Sequence, residues 1–274
     1  MNDAEERRLA GELRALAEEI AREAGELLRD RAGDVRTEVG TKSTVTDMVT
    51  EVDRESELLI SRRLLAARPG DGLTGEEGTA RVSTTGVHWV CDPLDGTTNY
   101  LYGVPAYGVS IAAELEGRVL AGAVFDARHG EMFSAARGLG ATRDGAAIRV
   151  SGLADLSMAL VGTGFGYLPA RRAHQGRITA YVLPQVRDIR RAGSAALDHC
   201  WVACGRLDAY YEQGVQQWDF AAGALIVEEA GGRVGGFVQG PLAGMRLATN
   251  AALYAPLEAL IEEAEARAPR AGGG

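Results

Sequence analysis

Apolar residues among the first thirty positions recur at steps of three and four, with acidic residues and arginines between them. This spacing puts the apolar residues on one face of an α-helix, which we expect to end near Gly33. The apolar stripe consists of Leu9, Leu13, Leu16, Ile20, Ala24, Leu27 and Leu28. The helix is therefore predicted to be scaffold, with one face packed on a core.

A second helix is predicted from about Thr46 to Ala67, because a Pro-Gly pair follows the end of the pattern. At about 100° per residue, Asp53 lies on the same face as Val49, Ile60 and Leu64. A carboxylate among apolar side chains needs a partner. Asp53 is therefore the first candidate functional residue.

The apolar run Val87–Cys91 predicts a buried strand, and the segment after it closes the strand with a tight turn. That segment is Asp92-Pro93-Leu94-Asp95-Gly96-Thr97-Thr98-Asn99. Asp92 and Asp95 should project from one rim of a sheet, where two fixed carboxylates suit a hard cation. If a helical turn begins at Thr97, outward N–H groups of Gly96 and Thr97 can bind an anion. An Asp-Gly pair is also ordinary turn chemistry, so this segment alone leaves both interpretations open.

The middle of the chain changes to period-two alternation, which predicts an antiparallel meander. Its turns fall at Glu116-Gly117, His129-Gly130 and Asp144-Gly145. After residue 157, strands and helices alternate, with helices near 170–183, 194–204, 219–230 and 256–264 and strands near 158–161, 186–189, 208–211, 233–234 and 246–248. We therefore expect one unit over 1–274, with a sheet-rich lobe at 1–152, an α/β lobe at 153–270 and a flexible tail at 271–274.

Composition narrows the class of protein. The chain has 274 residues, 46% hydrophobic and 24% charged, as in a globular protein with one large or two moderate cores. Its net charge of −9 argues against nucleic-acid partners and anionic membranes. The first thirty residues lack a signal-peptide pattern and no apolar run nears the ~20 residues of a membrane span, so we expect a cytoplasmic protein. The three cysteines fit reduced thiols rather than a disulfide framework.

Further polar residues are candidates only in combination. Glu76 and Glu77 sit in a glycine-flanked loop, where adjacent acids are usually just solvated. Asp219 precedes an apolar run and would be a good helix N-cap in any protein. Ordinary surface, capping or packing explanations also exist for Lys42, Gly193, Ser194, Ala195 and Glu212.

Taken in chain order, these residues resemble the inositol monophosphatase family of Mg2+-dependent, lithium-sensitive phosphatases. The resemblance spans roughly residues 5–265, and its most specific elements are the segment from Asp92 to Asn99 and the pair Trp218-Asp219. It implies a layered α-β-α-β-α sandwich, with an antiparallel sheet-rich N-terminal lobe and an α/β C-terminal lobe. It also implies a homodimer with the site between the two lobes of each chain.

The same resemblance implies individual roles. Two or three Mg2+ ions, for which Mn2+ can substitute, would be held by Glu76, Asp92, the main-chain carbonyl of Leu94, Asp95 and Asp219. Asp53 and Thr97 would orient and deprotonate the attacking water, with Glu76 in the same catalytic set. Substrate contacts would come from Asp95, Gly96, Thr97, Gly193, Ser194, Ala195, Glu212 and Asp219. Glu77 and Lys42 would lie behind these ligands, where the lysine offsets part of the acidic charge.

These residue types suit hydrolysis of a phosphate monoester. Mg2+ prefers oxygen ligands, and metal ions neutralise phosphoryl oxygens, activate water and stabilise the leaving alkoxide. The five acids Asp53, Glu76, Asp92, Asp95 and Asp219 repel one another without metal, so we expect part of the chain to be loose until metal binds.

We expect the substrate to be a small phosphorylated polyol, most simply a myo-inositol monophosphate. Glu212 and Asp95 can accept hydrogen bonds from adjacent ring hydroxyls, and the small residues 193–195 leave room for a compact ring. Chains similar to this one in the metal site act on histidinol phosphate, fructose 1,6-bisphosphate or 3′-phosphoadenosine 5′-phosphate. Arg171, Arg172 and Arg177 are either contacts for a second phosphate or surface charge.

Two other classes stay open, a regulator that binds protein partners and a Mg2+-binding protein without turnover. A purely structural descendant would not need every metal-ligand position filled. The presence of both Asp53 and Thr97 favours turnover over metal binding alone.

Overall fold

The structure is a computed structural model that describes residues 2–32, 39–41 and 48–267, with side chains described over 2–32 and 51–267. Lys42 and the predicted tail at 271–274 lie outside these residues. Within the described ranges, no helix has both the length and the apolar character needed to cross a membrane.

The described ranges contain helices and strands from end to end. The helices are α1 (Asp3–Arg31), α2 (Glu51–Ala67), α3 (Thr97–Tyr102), α4 (Pro169–Val182), α5 (Ala195–Ala203), α6 (Gln217–Glu229) and α7 (Ala251–Arg267). The strands are β1 (Val39–Thr41), β2 (Met48–Thr50), β3 (Gly72–Gly75), β4 (Ala80–Arg81), β5 (Val87–Asp95), β6 (Gly108–Leu115), β7 (Arg118–Asp126), β8 (Glu131–Ala136), β9 (Gly140–Arg143), β10 (Ala146–Ala147), β11 (Leu160–Thr163), β12 (Asp188–Arg190), β13 (Ala209–Gln213), β14 (Gly232–Gly236) and β15 (Met245–Asn250).

These elements stack in five layers. Helices α1 and α2 cover one face of an eight-stranded sheet ordered β10-β9-β8-β7-β6-β5-β3-β4. Helices α5 and α6 pack between that sheet and a five-stranded sheet ordered β12-β11-β13-β15-β14. Helices α4 and α7 form the outer layer on the second sheet. The predicted α-β-α-β-α sandwich is confirmed, while the lobe boundary at residue 152 stays a prediction.

The outer helix α1 follows the predicted apolar stripe. Leu13, Ile20 and Leu28 are fully buried against the first sheet. A capping box starts the helix, because the Asn2 side chain accepts from the Glu5 N–H at 2.9 Å and Glu5 accepts from the Asn2 N–H at 3.0 Å. The predicted apolar stripe and the observed burial therefore agree along the 29 residues of the helix.

The predicted meander is strands β6 to β10, each antiparallel to the next. Its tight turns place both central residues at positive φ, at 53° and 77° for Glu116-Gly117 and at 50° and 79° for Asp144-Gly145. Such turns match the twist of paired strands. The sheet is not wholly antiparallel, because β3 pairs parallel with β5.

Several predicted boundaries are wrong, and two of them have a clear local cause. Helix α2 begins at Glu51, not near Thr46, because Met48–Thr50 pairs with Val39–Thr41 as a strand. The β-branched pair Val49-Thr50 favours that strand, so Val49 does not share the helix face of Asp53. The strand predicted from residue 158 begins at Leu160, because Leu156–Met158 forms a 3-10 turn capped by Asp155.

Candidate active site

A β-bulge at the end of β5 sets the direction of the two central carboxylates. Asp92 pairs with Ser110 of β6 and Asp95 pairs with Gly108, so three steps along one strand match two along the other. In a regular strand, residues three apart point to opposite faces. The extra residue returns Asp95 to the face of Asp92. The strand therefore continues to Asp95 instead of ending at Cys91 as predicted.

Thr97 joins this segment to helix α2. Its Oγ1 donates to the Leu94 carbonyl at 3.1 Å and lies 3.5 Å from Oδ2 of Asp53. Asp53 is 0% exposed, and Ile60 and Leu64 of the same helix face are also fully buried. The structure thus brings together the two residues to which the family resemblance assigns the handling of water.

The glycine that precedes Thr97 is needed for its conformation. Gly96 has φ 93°, and a Cβ there would lie 2.8 Å from the Ala106 carbonyl oxygen. Any other residue is strained at this φ. Gly96 therefore lets α3 begin directly after the carboxylates, as the sequence predicted.

Asp95 connects the first sheet to the start of α5. Its Oδ2 accepts from Ser194 Oγ at 2.7 Å and from the Ala196 N–H at 2.6 Å. Ser194 also caps α5, since its Oγ accepts from the Leu197 N–H at 3.2 Å. Gly193, at φ 97°, packs against Asn99, which donates to the Ala192 carbonyl at 2.8 Å. The second sheet's helix layer is thereby fixed to the carboxylate segment.

Asp219 lies in the first turn of α6, but it is not the N-cap that the ordinary explanation predicted. The N-cap is Gln216, and Asp219 occupies the third helical position, where its Oδ2 accepts from the Gln216 N–H at 2.6 Å. That position turns the carboxylate back over the helix start. The preceding Trp218 is held through its carbonyl, which accepts from Ser110 Oγ at 3.1 Å.

These segments enclose a cleft of about 360 Å³ between the carboxylate end of the first sheet and the second sheet with its helices. Ser194 and Asp53 lie just behind the wall, through Asp95 and Thr97 respectively. Predicted site residues that line the cleft are Glu76, Asp92, Leu94, Asp95, Gly96, Thr97, Gly193, Ala195, Glu212 and Asp219. Glu77 adjoins Glu76 outside the lining, and Lys42 lies outside the described residues.

Burial and mutual repulsion dominate the electrostatics of this cleft. Burial raises the pKa of Asp92 well above its usual range, and the Glu76, Asp95 and Asp219 carboxylates raise it further. The pKa of Asp219 is also well above its usual range because of burial and the Asp95 charge. Burial raises the pKa of Asp95 to about 6, against the lowering effect of its Ser194 and Ala196 hydrogen bonds. The cluster therefore favours any cation that enters.

The donor atoms fit a hard metal ion. Carboxylate and carbonyl oxygens face the cleft, and its described lining contains no His or Cys. Mg2+ prefers this chemistry. In the part of the chain described, no three or more His, Cys, Asp or Glu side chains already stand in metal-binding geometry. The carboxylates surround the space without converging on one point, which suits an ion that keeps part of its water shell.

The opposite end of the cleft carries Glu212 and two arginines. Tyr210 Oη donates to Glu212 Oε2 at 2.8 Å, and burial raises the pKa of Glu212 to about 7. Arg171 and Arg191 also line the cleft, whereas Arg172 instead donates to the Tyr167 carbonyl at 2.6 Å. Arg177 is outside the lining. Of the three arginines weighed from the sequence, only Arg171 borders the site.

Sequence reasoning missed Arg191 and the acid Glu57, whose carboxylate accepts from the Glu77 N–H at 2.6 Å. Glu57 lies four residues after Asp53. The helical period that singled out Asp53 places both on one face, so the same signal could have found it. Arg191 carries no comparable signal.

The sequence and the fold are similar to those of known proteins. Residues 10–268 match the model of the inositol monophosphatase family. Inositol-1-monophosphatase SuhB of Mycobacterium tuberculosis is 51% identical over 240 residues, 81% of this chain and 83% of that protein. Nus factor SuhB of Pseudomonas aeruginosa is 43% identical over 231 residues, 81% and 84% of the two chains. The crystal structure of extragenic suppressor protein suhB from Bartonella henselae has a TM-score of 0.85 at 34% identity, and covers 91% of this chain and 98% of that one.

A five-layered sandwich with an acidic cleft and these relatives define the class, a phosphoric monoester hydrolase. Within that class, the chain belongs to the inositol monophosphatase family, which is metal-dependent.

Proposed function

We propose that this protein is a Mg2+-dependent phosphatase that hydrolyses a myo-inositol monophosphate to myo-inositol and phosphate. The observation that carries the proposal is the gathering of Glu76, Asp92, Asp95 and Asp219, far apart in the chain, around one cleft. The choice of substrate is supported by the relatives that are named inositol-1-monophosphatase.

Glu76, Asp92, the Leu94 carbonyl, Asp95 and Asp219 would hold the ions, two or three in number, and Mn2+ would substitute for Mg2+. When bound, Mg2+ supplies charge neutralisation at the phosphoryl oxygens and lowers the pKa of water. Without it, the carboxylates repel the phosphate dianion as well as one another.

Different residues of the chain would activate water and bind the phosphoryl group. Asp53, buried beside Thr97 Oγ1, accepts the proton of the attacking water while the threonine fixes its direction. The backbone N–H groups of Gly96 and Thr97, at the start of α3, would donate to the phosphoryl oxygens. Attack of that water on phosphorus would break the bond to the ester oxygen, and the alkoxide, leaving on the side of Asp219 and Glu212, would take up a proton from solvent to give the free alcohol.

Recognition of the alcohol falls to the other end of the cleft. Glu212 and Asp95 would accept hydrogen bonds from ring hydroxyls, and the small residues Gly193 and Ala195 leave room for the ring, with Ser194 behind them holding Asp95. Gly164 lies over Glu212, where a Cβ would overlap the carboxylate. A bulky side chain there would displace Glu212.

Phosphate release from four esters, with and without Mg2+, tests the proposal. The panel contains inositol 1-phosphate, histidinol phosphate, fructose 1,6-bisphosphate and 3′-phosphoadenosine 5′-phosphate. We expect release only with Mg2+ and the highest kcat/KM on inositol 1-phosphate. Preference for histidinol phosphate would replace the substrate but keep the chemistry, and preference for a bisphosphate would assign Arg171 and Arg191 to the second phosphate. No release from any ester would contradict the function.

Relatives named Nus factor SuhB favour a second candidate, a regulatory contact with a protein partner. This function would not need the carboxylates. A double variant, Asp92→Asn with Asp219→Asn, should lose phosphatase activity and keep any such contact.

Further properties belong to the same proposal. We infer a cytoplasmic homodimer that is inhibited by lithium and has no nucleic-acid or membrane partner. Net charge of −9 supports the last point, and the buried Cys91 and Cys200 thiols are consistent with a reducing compartment. Sedimentation of the purified protein tests the dimer.

A further inference from the structure

We propose that Glu57 is a positioning residue that holds the Glu76 loop in place for metal binding. The proposal rests on the function proposed above. Glu57 lies on α2, one turn beyond Asp53, and is 5% exposed. It does not line the cleft, so it acts through Glu76 and does not touch the ion or the ester itself.

Both oxygens of the Glu57 carboxylate are used by the loop between β3 and β4. Oε2 accepts from the Glu77 N–H at 2.6 Å. Oε1 accepts from the Thr79 N–H at 2.9 Å and from Thr79 Oγ1 at 2.6 Å. Hydrogen bonds to an ionised acceptor are roughly twice as strong as neutral ones. One side chain therefore fixes the backbone on the C-terminal side of Glu76.

The other side of Glu76 is fixed by the sheet. The Glu76 N–H donates to the carbonyl of Cys91 at 3.2 Å, and Cys91 directly precedes Asp92. The loop also closes on itself, since the Gly75 N–H donates to the Thr79 carbonyl at 2.8 Å. Glu76 is thus held between β5 and α2, and small shifts of either would move its carboxylate away from Asp92.

Gly75 gives independent support for close contact. A Cβ at this position would overlap the Glu57 carboxylate. The backbone of the loop therefore approaches the acid more closely than any side chain would permit. A contact this close transmits the position of α2 to the loop.

The same helix face reaches the other ligand segment. Ser56 Oγ donates to the Pro93 carbonyl at 2.9 Å, between Asp92 and Leu94. Asp53, Ser56 and Glu57 of α2 thus contact the segment after β5 and the Glu76 loop. These contacts fix the position of Asp53 relative to both sets of proposed metal ligands.

The test compares Glu57→Gln with wild type by calorimetric titration of the metal-free protein with Mn2+. The amide turns an NH2 group against the backbone donors, so the loop loses part of its support. We expect Mn2+ affinity to fall about 10–100-fold, as for other residues behind metal ligands. Hydrogen exchange at the Glu77 and Thr79 amides should accelerate, and saturating Mg2+ should restore most of kcat.

Glu55→Gln is the matched control, because it removes one negative charge from the same helix. Glu55 accepts from Arg31 at 3.0 Å, away from the loop, so its Mn2+ affinity should equal that of wild type. Thr79→Val is the milder variant should Glu57→Gln fail to fold, since it removes only the hydroxyl donor. It should weaken Mn2+ binding several-fold.

The outcomes separate the two proposals. Wild-type Mn2+ affinity in a folded Glu57→Gln variant, or in Thr79→Val if the first does not fold, would overturn the positioning proposal alone. Weakened Mn2+ binding in a protein that releases no phosphate from any ester would uphold it and contradict the proposed function. A wild-type protein that binds no metal would contradict both.

Discussion

At the scale of single residues, burial explains why the candidate acids differ from ordinary surface carboxylates. Asp53 and Asp92 are at most 1% exposed, yet the proposed mechanism places both at a site that binds water and phosphate. Such burial costs free energy unless a partner or a cation compensates it. This burial supports the proposal that the two acids belong to a metal site, because in a core without a function they would only destabilise the fold.

Asp53→Asn tests the assignment of the base. The amide keeps the shape of the side chain but cannot accept a proton, so kcat should fall by about 10²–10⁴-fold. Mn2+ binding should stay within a few-fold of wild type, because Asp53 lies behind Thr97 and outside the cleft lining. Unchanged turnover in a steady-state phosphate assay would remove Asp53 from the mechanism.

Glu212→Gln tests the electrostatic cost of the alcohol-binding end. Burial raises the pKa of Glu212 from an ordinary value near 4.5 to about 7. Between these values the folded state binds more protons than the unfolded state, so the free energy of unfolding falls as pH rises. The glutamine variant has no carboxylate to titrate and lacks this loss. Its free energy of unfolding relative to that of wild type should therefore rise by about 1–3 kcal/mol between pH 4.5 and 8.

Urea unfolding of both proteins at pH 4.5, 6 and 8 gives the difference directly. Comparing the two proteins at each pH cancels the titration of the remaining acids. Parallel pH profiles for wild type and Glu212→Gln would show that Glu212 titrates normally.

At the scale of secondary-structure elements, periodicity predicted most of the architecture. The α1 stripe and the meander turns were predicted correctly because nearby residues determine both. The spacing of apolar residues sets the buried face of α1, and residues that tolerate positive φ set the turns. The bulge in β5 was not predictable, since it depends on pairing with β6. Asp219 was placed two residues from the true start of α6, because Gln216 provides the cap.

Helix α2 shows the same limit from the other direction. The sequence identified its apolar face and Asp53, but not what Ser56 and Glu57 contact. Those partners, Pro93 and Thr79, are 37 and 22 residues away, and no local pattern specifies them. The resemblance thus named most of the residues that line the cleft, whose roles stay predictions, whereas the contacts that support them depend on tertiary packing.

Ser56→Ala tests the grip of α2 on the ligand segment. The variant leaves the buried Pro93 carbonyl without its 2.9 Å donor, so the free energy of unfolding should fall by about 1–3 kcal/mol. Ser61→Ala on the same helix is the control, because Ser61 Oγ is buried and has no partner among the described residues. It should be neutral or stabilising in urea unfolding. Equal losses for the two variants would mean that the Pro93 contact is not special.

At the scale of the whole molecule, the site exists only because layers come together. The first sheet supplies Asp92 and Asp95, its covering helix α2 supplies Asp53, and the middle layer supplies Ser194 and Asp219. Repulsion among the four acids opposes assembly of the layers, and hydrophobic packing on both sides of each sheet supplies the opposing free energy. Cation binding should relieve that repulsion and stabilise the layered arrangement.

Anomalous diffraction from crystals soaked in MnCl2 tests this central claim most directly. The account predicts Mn2+ peaks in the cleft, one bounded by Glu76, Asp92 and the Leu94 carbonyl and another by Asp92, Asp95 and Asp219. Carboxylates that stay apart, with no anomalous density between them at saturating Mn2+, would contradict the account.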